Sequence, residues 1–169
     1  MAGKEDALCL HALATQVFLD TYAREGIREA IAREAHHELS VSSFFEQLAS
    51  PAIRLLLAER NGYLVGFASV TLGATHALLV NHGAAELSRL YVQSPFIRQG
   101  VGSLLLRHSE AFAQAAGAST LWLTAWVGNS RALAFYASQG YEELGSTDHE
   151  FENEHFENRL FAKLLVAET

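Results

Sequence analysis

Cysteine, proline, basic residues and long apolar runs are what this sequence has least of, and each shortage closes off a class of protein. The one cysteine, Cys9, leaves no partner for an intrachain disulfide. That suits a reducing compartment and gives the thiol the role of a small buried hydrophobe. The two prolines, Pro51 and Pro95, are too few for a proline-rich linker, and no internal repeat or low-complexity tract is present. The most hydrophobic segments are interrupted within a few residues, short of membrane-spanning length. The opening MAGKEDAL turns acidic before an apolar run develops, so no secretory signal is expected. The expectation is a cytoplasmic protein with no membrane partner. Twelve Lys and Arg against 19 Asp and Glu give a formal charge of -7. A surface of that sign cannot displace counterions from nucleic-acid phosphates, so a cationic partner is favoured over nucleic acid.

What is present is enough for one core: 169 residues, half of them hydrophobic, predict a single domain over 1–169. From Asp6 to about Tyr22, the residues Leu10, Leu13, Ala14, Val17 and Phe18 recur at helical spacing. A more polar helix is expected over Ile27 to Leu39, with Glu29 and Arg33 one turn apart. Ser43 and Glu46 fit a capping box for a short helix that must stop before Pro51. Ile53 to Glu59 and Tyr63 to Leu72 read as strands joined through Asn61-Gly62, a strong hairpin signal. Gly66 marks a bulge or a close approach within the second of them. Ala74 to Ala85 is read as extending that strand and then turning at Asn81-His82-Gly83.

The stretch from Glu86 to Gln114 passes from strand through Gly100-Val101-Gly102 into a helix over Val101 to Ala116. The inward positions of that helix are read as Val101, Leu104, Leu105, His108, Phe112 and Ala115. Amides at a helix start lack intrahelical partners and carry the positive end of the dipole, so glycine there lets an anion reach the main chain. Leu121 to Val127 is nearly all apolar, as in a central strand buried on both faces. A helix capped by Asn129 or Ser130 follows, stopped at Gly140. Two successive strand–turn–helix units imply parallel pairing. Tyr141 to Leu144 and Phe156 to Leu165 complete the strands, an acidic connection lies between them, and the whole reads as α/β with a mixed sheet.

Three segments, ELSRLYV at 86–92, QGVGSLLL at 99–106 and NSRALAFYASQGY at 129–141, occur in an order and spacing that resemble the GNAT superfamily of acyl-CoA-dependent N-acyltransferases. The resemblance implies a GNAT fold, acetyl-CoA as co-substrate, and acetyl transfer to a primary amine by direct attack. It also implies that main-chain groups around Leu90, Tyr91 and Val92 hold the pantetheine arm, and that Arg98, Gln99, Gly100, Val101, Gly102 and Ser103 wrap the pyrophosphate. The family usually carries Gln or Arg three residues before the first glycine, where this chain has Ile97. Asn129 matches a pantetheine contact, although a plain helix cap would select the same residue. Tyr136 matches the general acid that protonates the departing thiolate; its other reading is a buried aromatic beside Phe135.

Glu86 matches a position that takes the amine proton through water, and is otherwise an exposed strand-end carboxylate. His76, His82 and His108 are alternative bases, His108 also fitting a core position. No Cys, Asp or Glu stands at ligand spacing from the histidines, so no metal is expected. The N-terminal half and the aromatic-acidic C-terminal connection loosely resemble the polyamine-acetylating branch. No Lys or Arg occurs between Arg131 and Arg159, whereas Glu142, Glu143, Asp148, Glu150, Glu152, Glu154 and Glu157 all do. Such a run either draws in a small cationic amine or simply keeps a hairpin solvated. A noncatalytic acyl-CoA-binding module with the same fold is the alternative function, and the resemblance allows a homodimer.

Overall fold

A computed structural model describes residues 2–80, 83–151 and 154–165. The helices are α1 (Ala7–Tyr22), α2 (Glu29–Glu38), α3 (Val41–Ala49), α4 (Val101–Ala115) and α5 (Ser130–Ser138). The strands are β1 (Ile53–Arg60), β2 (Tyr63–Leu72), β3 (Ala84–Val92), β4 (Thr120–Trp126), β5 (Glu142–Phe151) and β6 (Glu154–Leu164). They form one six-stranded sheet in the order β1-β2-β3-β4-β6-β5, with β3 parallel to β4 and β6 antiparallel to both β4 and β5. This is the α/β arrangement with a mixed sheet and flanking helices that the sequence implied. Among the described residues, no helix is long and apolar enough to cross a membrane.

The chain forms two compact units, Met1–Ser69 with Arg89–Ser109, and Val70–Ser88 with Glu110–Thr169. In the first, α1 buries Ala7, Leu10, Leu13 and Ala14 against Leu39, Phe44, Leu55 and Phe67, with Val17 and Phe18 half-buried at the margin. Recurrence every three to four residues is what puts these side chains on one stripe. Cys9 falls outside that stripe and is a free, exposed thiol, so the expectation of a buried cysteine is corrected. The third helix starts earlier than expected. Ser40 is its cap, accepting the Ser43 N–H at 3.1 Å, while the Ser43 hydroxyl is spent on the Glu38 carbonyl. Serines at 40, 42 and 43 offer competing caps, and a motif search cannot rank them.

In the second unit, the parallel ladder pairs Ala84 with Thr120, Ala85 with Leu121 and Glu86 with Trp122. Leu121, Trp122 and Leu123 are all buried, as a strand covered on both faces requires. The chain turns at Gly73 and does not extend β2; the Trp122 indole N–H donates to the Ala74 carbonyl at 3.0 Å and holds the following loop down. Of the expected turn, Asn81 and His82 lie outside the described residues, as does Glu152 in the acidic run. That run is mostly not a connection: β5 continues to Phe151 and pairs along β6, with a register shift between Glu143 and Gly145.

On α4 the buried residues are Leu105, Leu106, Ser109 and Ala113. Leu104 is 46% exposed, and His108 and Ala115 are exposed as well, so the expected inward positions are corrected at those three residues. Three consecutive leucines leave the phase of the apolar stripe undecided. A buried serine decides it, its hydroxyl turned back onto the Leu105 carbonyl at 2.8 Å.

Candidate active site

The first unit carries the strand and turn expected to bind a phosphorylated co-substrate. Gly66 of β2 packs so close to β3 that an added Cβ would lie 2.8 Å from the Tyr91 carbonyl oxygen and 3.3 Å from Val92 Cγ2. The glycine is therefore a close approach of two backbones, one of the two roles expected of it. Its replacement by alanine, Gly66→Ala, must push the strands apart. A loss of about 2 kcal/mol is expected, with weaker acetyl-CoA binding, checked by urea denaturation and calorimetry.

After Val92, the Gln93 N–H donates to the Val65 carbonyl at 3.0 Å, which fixes where the strand ends. The chain then takes left-handed values at Arg98 (φ 60°) and Gly100 (φ 83°) before α4 begins. Glycine adopts that value without strain, whereas an arginine there is held by its surroundings. The next residue, Gln99, braces the loop through its side chain. Its side-chain oxygen accepts from Arg60 Nη1 at 2.8 Å and its amide donates to the Pro95 carbonyl at 2.8 Å. With the Gln99 side chain committed to the loop, the amides of 99–103 are what the turn can offer an anion. Arg98 is exposed, and Ile97 is half-buried and contributes no side-chain donor.

Leu90, Tyr91 and Val92 are half-buried on β3. The Tyr91 ring meets Phe67 edge-on at 5.4 Å. Burial raises its hydroxyl pKa, against the lowering effect of Arg89. Burial likewise raises Tyr22, with Tyr91 and Glu34 adding to the effect. Arg89 also donates to Gln47 at 3.3 Å. This polar group drawn from α1, α2, α3 and β3 was not visible in the sequence, because its members are far apart along the chain and fit no motif.

The second unit carries the remaining expected residues. Asn129 caps α5, its Oδ1 accepting the Ala132 N–H at 3.2 Å, so the cap role is real and uses only the oxygen of the amide. Tyr136 is 8% exposed, and its ring lies 5.3 Å from Phe135, 5.9 Å from Tyr141 and 6.2 Å from Phe161. Glu86 is half-buried at the last parallel pair, opposite Trp122. The His76 ring lies tilted 5.4 Å from that of Trp122, and its Nδ1 accepts the Leu78 N–H at 3.2 Å, which occupies the lone pair a base would need. His108 is exposed rather than packed in the core, and His82 is outside the described residues.

Along the β5–β6 hairpin Asp148 faces Glu157 and Glu150 faces His155. Arg159 closes the run of carboxylates, 3.1 Å from Glu157 and 3.6 Å from Glu143. Pairs this exposed contribute little to stability, and they neutralise only part of the acidic charge.

A family model described as "Acetyltransferase (GNAT) family" matches residues 20–141. The chain belongs to this family. By that membership it is an acetyl-CoA-dependent N-acetyltransferase, and acetyl-CoA is its co-substrate. The IAA acetyltransferase of Azospirillum brasilense is 35% identical over 113 residues, 66% of this chain and 67% of that protein. The aminoalkylphosphonate N-acetyltransferase of Salmonella typhimurium is 31% identical over 120 residues, 69% of this chain and 75% of that one. Among solved structures, the PaiA N-acetyltransferase of Thermoplasma acidophilum in complex with coenzyme A superposes with a TM-score of 0.77. The match is at 22% identity and covers 96% of this chain and 95% of that one. This GNAT acetyltransferase therefore shares its fold with that enzyme across nearly its whole length.

Proposed function

We propose that this acetyltransferase moves the acetyl group of acetyl-CoA directly onto a primary amine, without a covalent acetyl-enzyme intermediate. The observation that carries the reading is on β3. Its parallel pairs with β4 run from Ala84 to Glu86, yet the strand continues to Val92 and leads into the amide-rich turn at 99–103. The main-chain groups of Leu90, Tyr91 and Val92 lie beyond that ladder and can hydrogen-bond the amides of the pantetheine arm. The turn amides and the positive end of α4 then take the pyrophosphate.

In the chemical step, Glu86 accepts a proton from the incoming ammonium through water, because only the neutral amine attacks a thioester. The amine nitrogen forms its bond to the acetyl carbon, the carbon–sulfur bond breaks, the Tyr136 hydroxyl donates its proton to the departing thiolate, and the second proton shed by the nitrogen returns to the phenolate, leaving the neutral amide. Asn129 contributes its side-chain N–H to the arm, the oxygen being spent on the helix cap.

A small polycationic amine such as a polyamine is the acceptor class favoured by the carboxylates of β5 and β6. The two relatives above carry different acceptors in their names, so the acceptor is the part of the reading to test first. A panel of spermidine, an aminoalkylphosphonate and a neutral-bodied primary amine, assayed by thiol release, should give spermidine the highest kcat/KM. Its advantage should fall several-fold between about 0.01 and 0.15 M salt, as screening of exposed carboxylates demands. Equal turnover of the three amines at every ionic strength would overturn the polyamine reading and leave amine acetylation standing.

A further inference from the structure

We propose that Glu110, Tyr141 and Lys163 form a positioning cluster that holds Tyr136 in the orientation its acid role requires. The inference rests on the assignment of Tyr136 above and names residues outside the family-like segments 86–92 and 99–106; Tyr141 is the last residue of the third.

The cluster is a closed set of contacts among α4, β6 and the end of α5. Glu110 Oε1 accepts from the Tyr141 hydroxyl at 3.1 Å and from Lys163 Nζ at 3.0 Å. Lys163 Nζ also donates to the Gln139 carbonyl at 3.1 Å, at the C-cap of α5, where a cation meets the negative end of the helix. Its ammonium lies 5.6 Å from the centre of the Tyr141 ring.

Tyr136 is held by this cluster in two ways. Its main-chain carbonyl accepts both the Gln139 N–H and the Tyr141 N–H, each at 3.1 Å. Its ring packs against the Tyr141 ring at 5.9 Å. Tyr141 thus grips the backbone and the ring of Tyr136, while its own hydroxyl is anchored on Glu110. Burial, and then Glu110, push the Tyr141 pKa well upward, so the phenol stays a proton donor across the working range. Glu110 and Lys163 are only 18% and 32% exposed at the side chain, which limits screening of their contact.

A general acid must sit within a fraction of an ångström of the atom it protonates, so slack in its support costs rate more than binding. Loss of the Glu110 charge or of the Tyr141 hydroxyl loosens Tyr136 without removing any group placed on acetyl-CoA. The cluster residues are therefore positioning residues and not catalytic ones.

The test is a double-mutant cycle on the full chain, with acetyl-CoA and the fastest amine of the panel above. Glu110→Gln and Tyr141→Phe are each combined with Tyr136→Phe, and thermal unfolding checks that every variant is folded. Each cluster variant alone should lower kcat about tenfold while KM for acetyl-CoA stays within about twofold. In the Tyr136→Phe background the same changes should alter kcat by less than about twofold, because nothing remains to be positioned. An equal loss in both backgrounds, or no loss in either, overturns the proposal while leaving Tyr136 as the acid. A Tyr136→Phe enzyme with unchanged kcat removes that acid, and with it the cluster's role. Should Glu110→Gln fail to fold, Tyr141→Phe carries the cycle by itself, since it deletes one hydroxyl and keeps the ring.

Discussion

Tyr136→Phe is expected to lower kcat about 100-fold while leaving the acetyl-CoA Kd within about twofold, the signature of a lost general acid. Phenylalanine keeps the ring that packs against Phe135, Tyr141 and Phe161, and it leaves the α5 cap at Asn129 untouched. One oxygen is all that changes. Stability should fall by no more than about 1 kcal/mol, the range for a single hydrogen-bonding group. The two readings of Tyr136 therefore separate. A residue serving only to fill the aromatic cluster loses little when it becomes phenylalanine, whereas an acid loses its proton. Calorimetry with acetyl-CoA reports binding, and a thiol-release assay reports turnover. The same pair of measurements on the unmodified chain distinguishes an enzyme from an acyl-CoA-binding module, which binds and releases no thiol. An unchanged kcat assigns Tyr136 to packing alone.

The contrast between what the sequence disclosed and what it concealed follows from range. Asn61-Gly62, Asn129 and the 99–103 turn are local devices whose residue types are dictated by backbone geometry within a few positions, and each stands where expected. Parallel pairing of β3 with β4 was legible because each strand is followed by its own turn and helix. The length of β5 was not: Gly145 to Glu150 alternates no apolar face, and its strand form comes from pairing with β6. The phase of α4 was hidden because Ser109, a polar residue, is fully buried.

Glu110, Tyr141 and Lys163 stayed invisible for the same reason as Tyr22, Arg89 and Tyr91. Their contacts join residues tens of positions apart, and charged or phenolic groups read as surface until a partner is seen. Turns and caps set by neighbouring residues are legible from the sequence; contacts between distant residues are a product of the fold.

That dependence on the fold makes Phe67 the position where a single truncation should cost most. The ring is fully buried and stands edge-on to Phe44 at 5.8 Å and to Tyr91 at 5.4 Å, so it ties α3 to β2 and β3. Phe67→Ala removes the whole ring from a close-packed cluster whose other members are fixed by their own helices and strands. Collapse can fill little of the space, and a loss of about 3–5 kcal/mol is expected. That is a large part of the about 5–15 kcal/mol typical of a folded domain. Phe67→Leu fills most of the volume and should lose under about 1.5 kcal/mol after repacking. Urea denaturation of the two variants measures the difference, with the slope m unchanged if only the folded core is affected.

The functional consequence follows from Tyr91, which loses its ring neighbour and with it part of what fixes the strand proposed to hold the pantetheine arm. At a temperature where Phe67→Ala is still folded, acetyl-CoA should bind it more weakly than it binds the leucine variant. A stability loss under about 1 kcal/mol for the alanine variant would mean that this ring does not join helix to sheet as described. Equal acetyl-CoA affinity in the two variants would detach the packing beneath β3 from the work of its main chain.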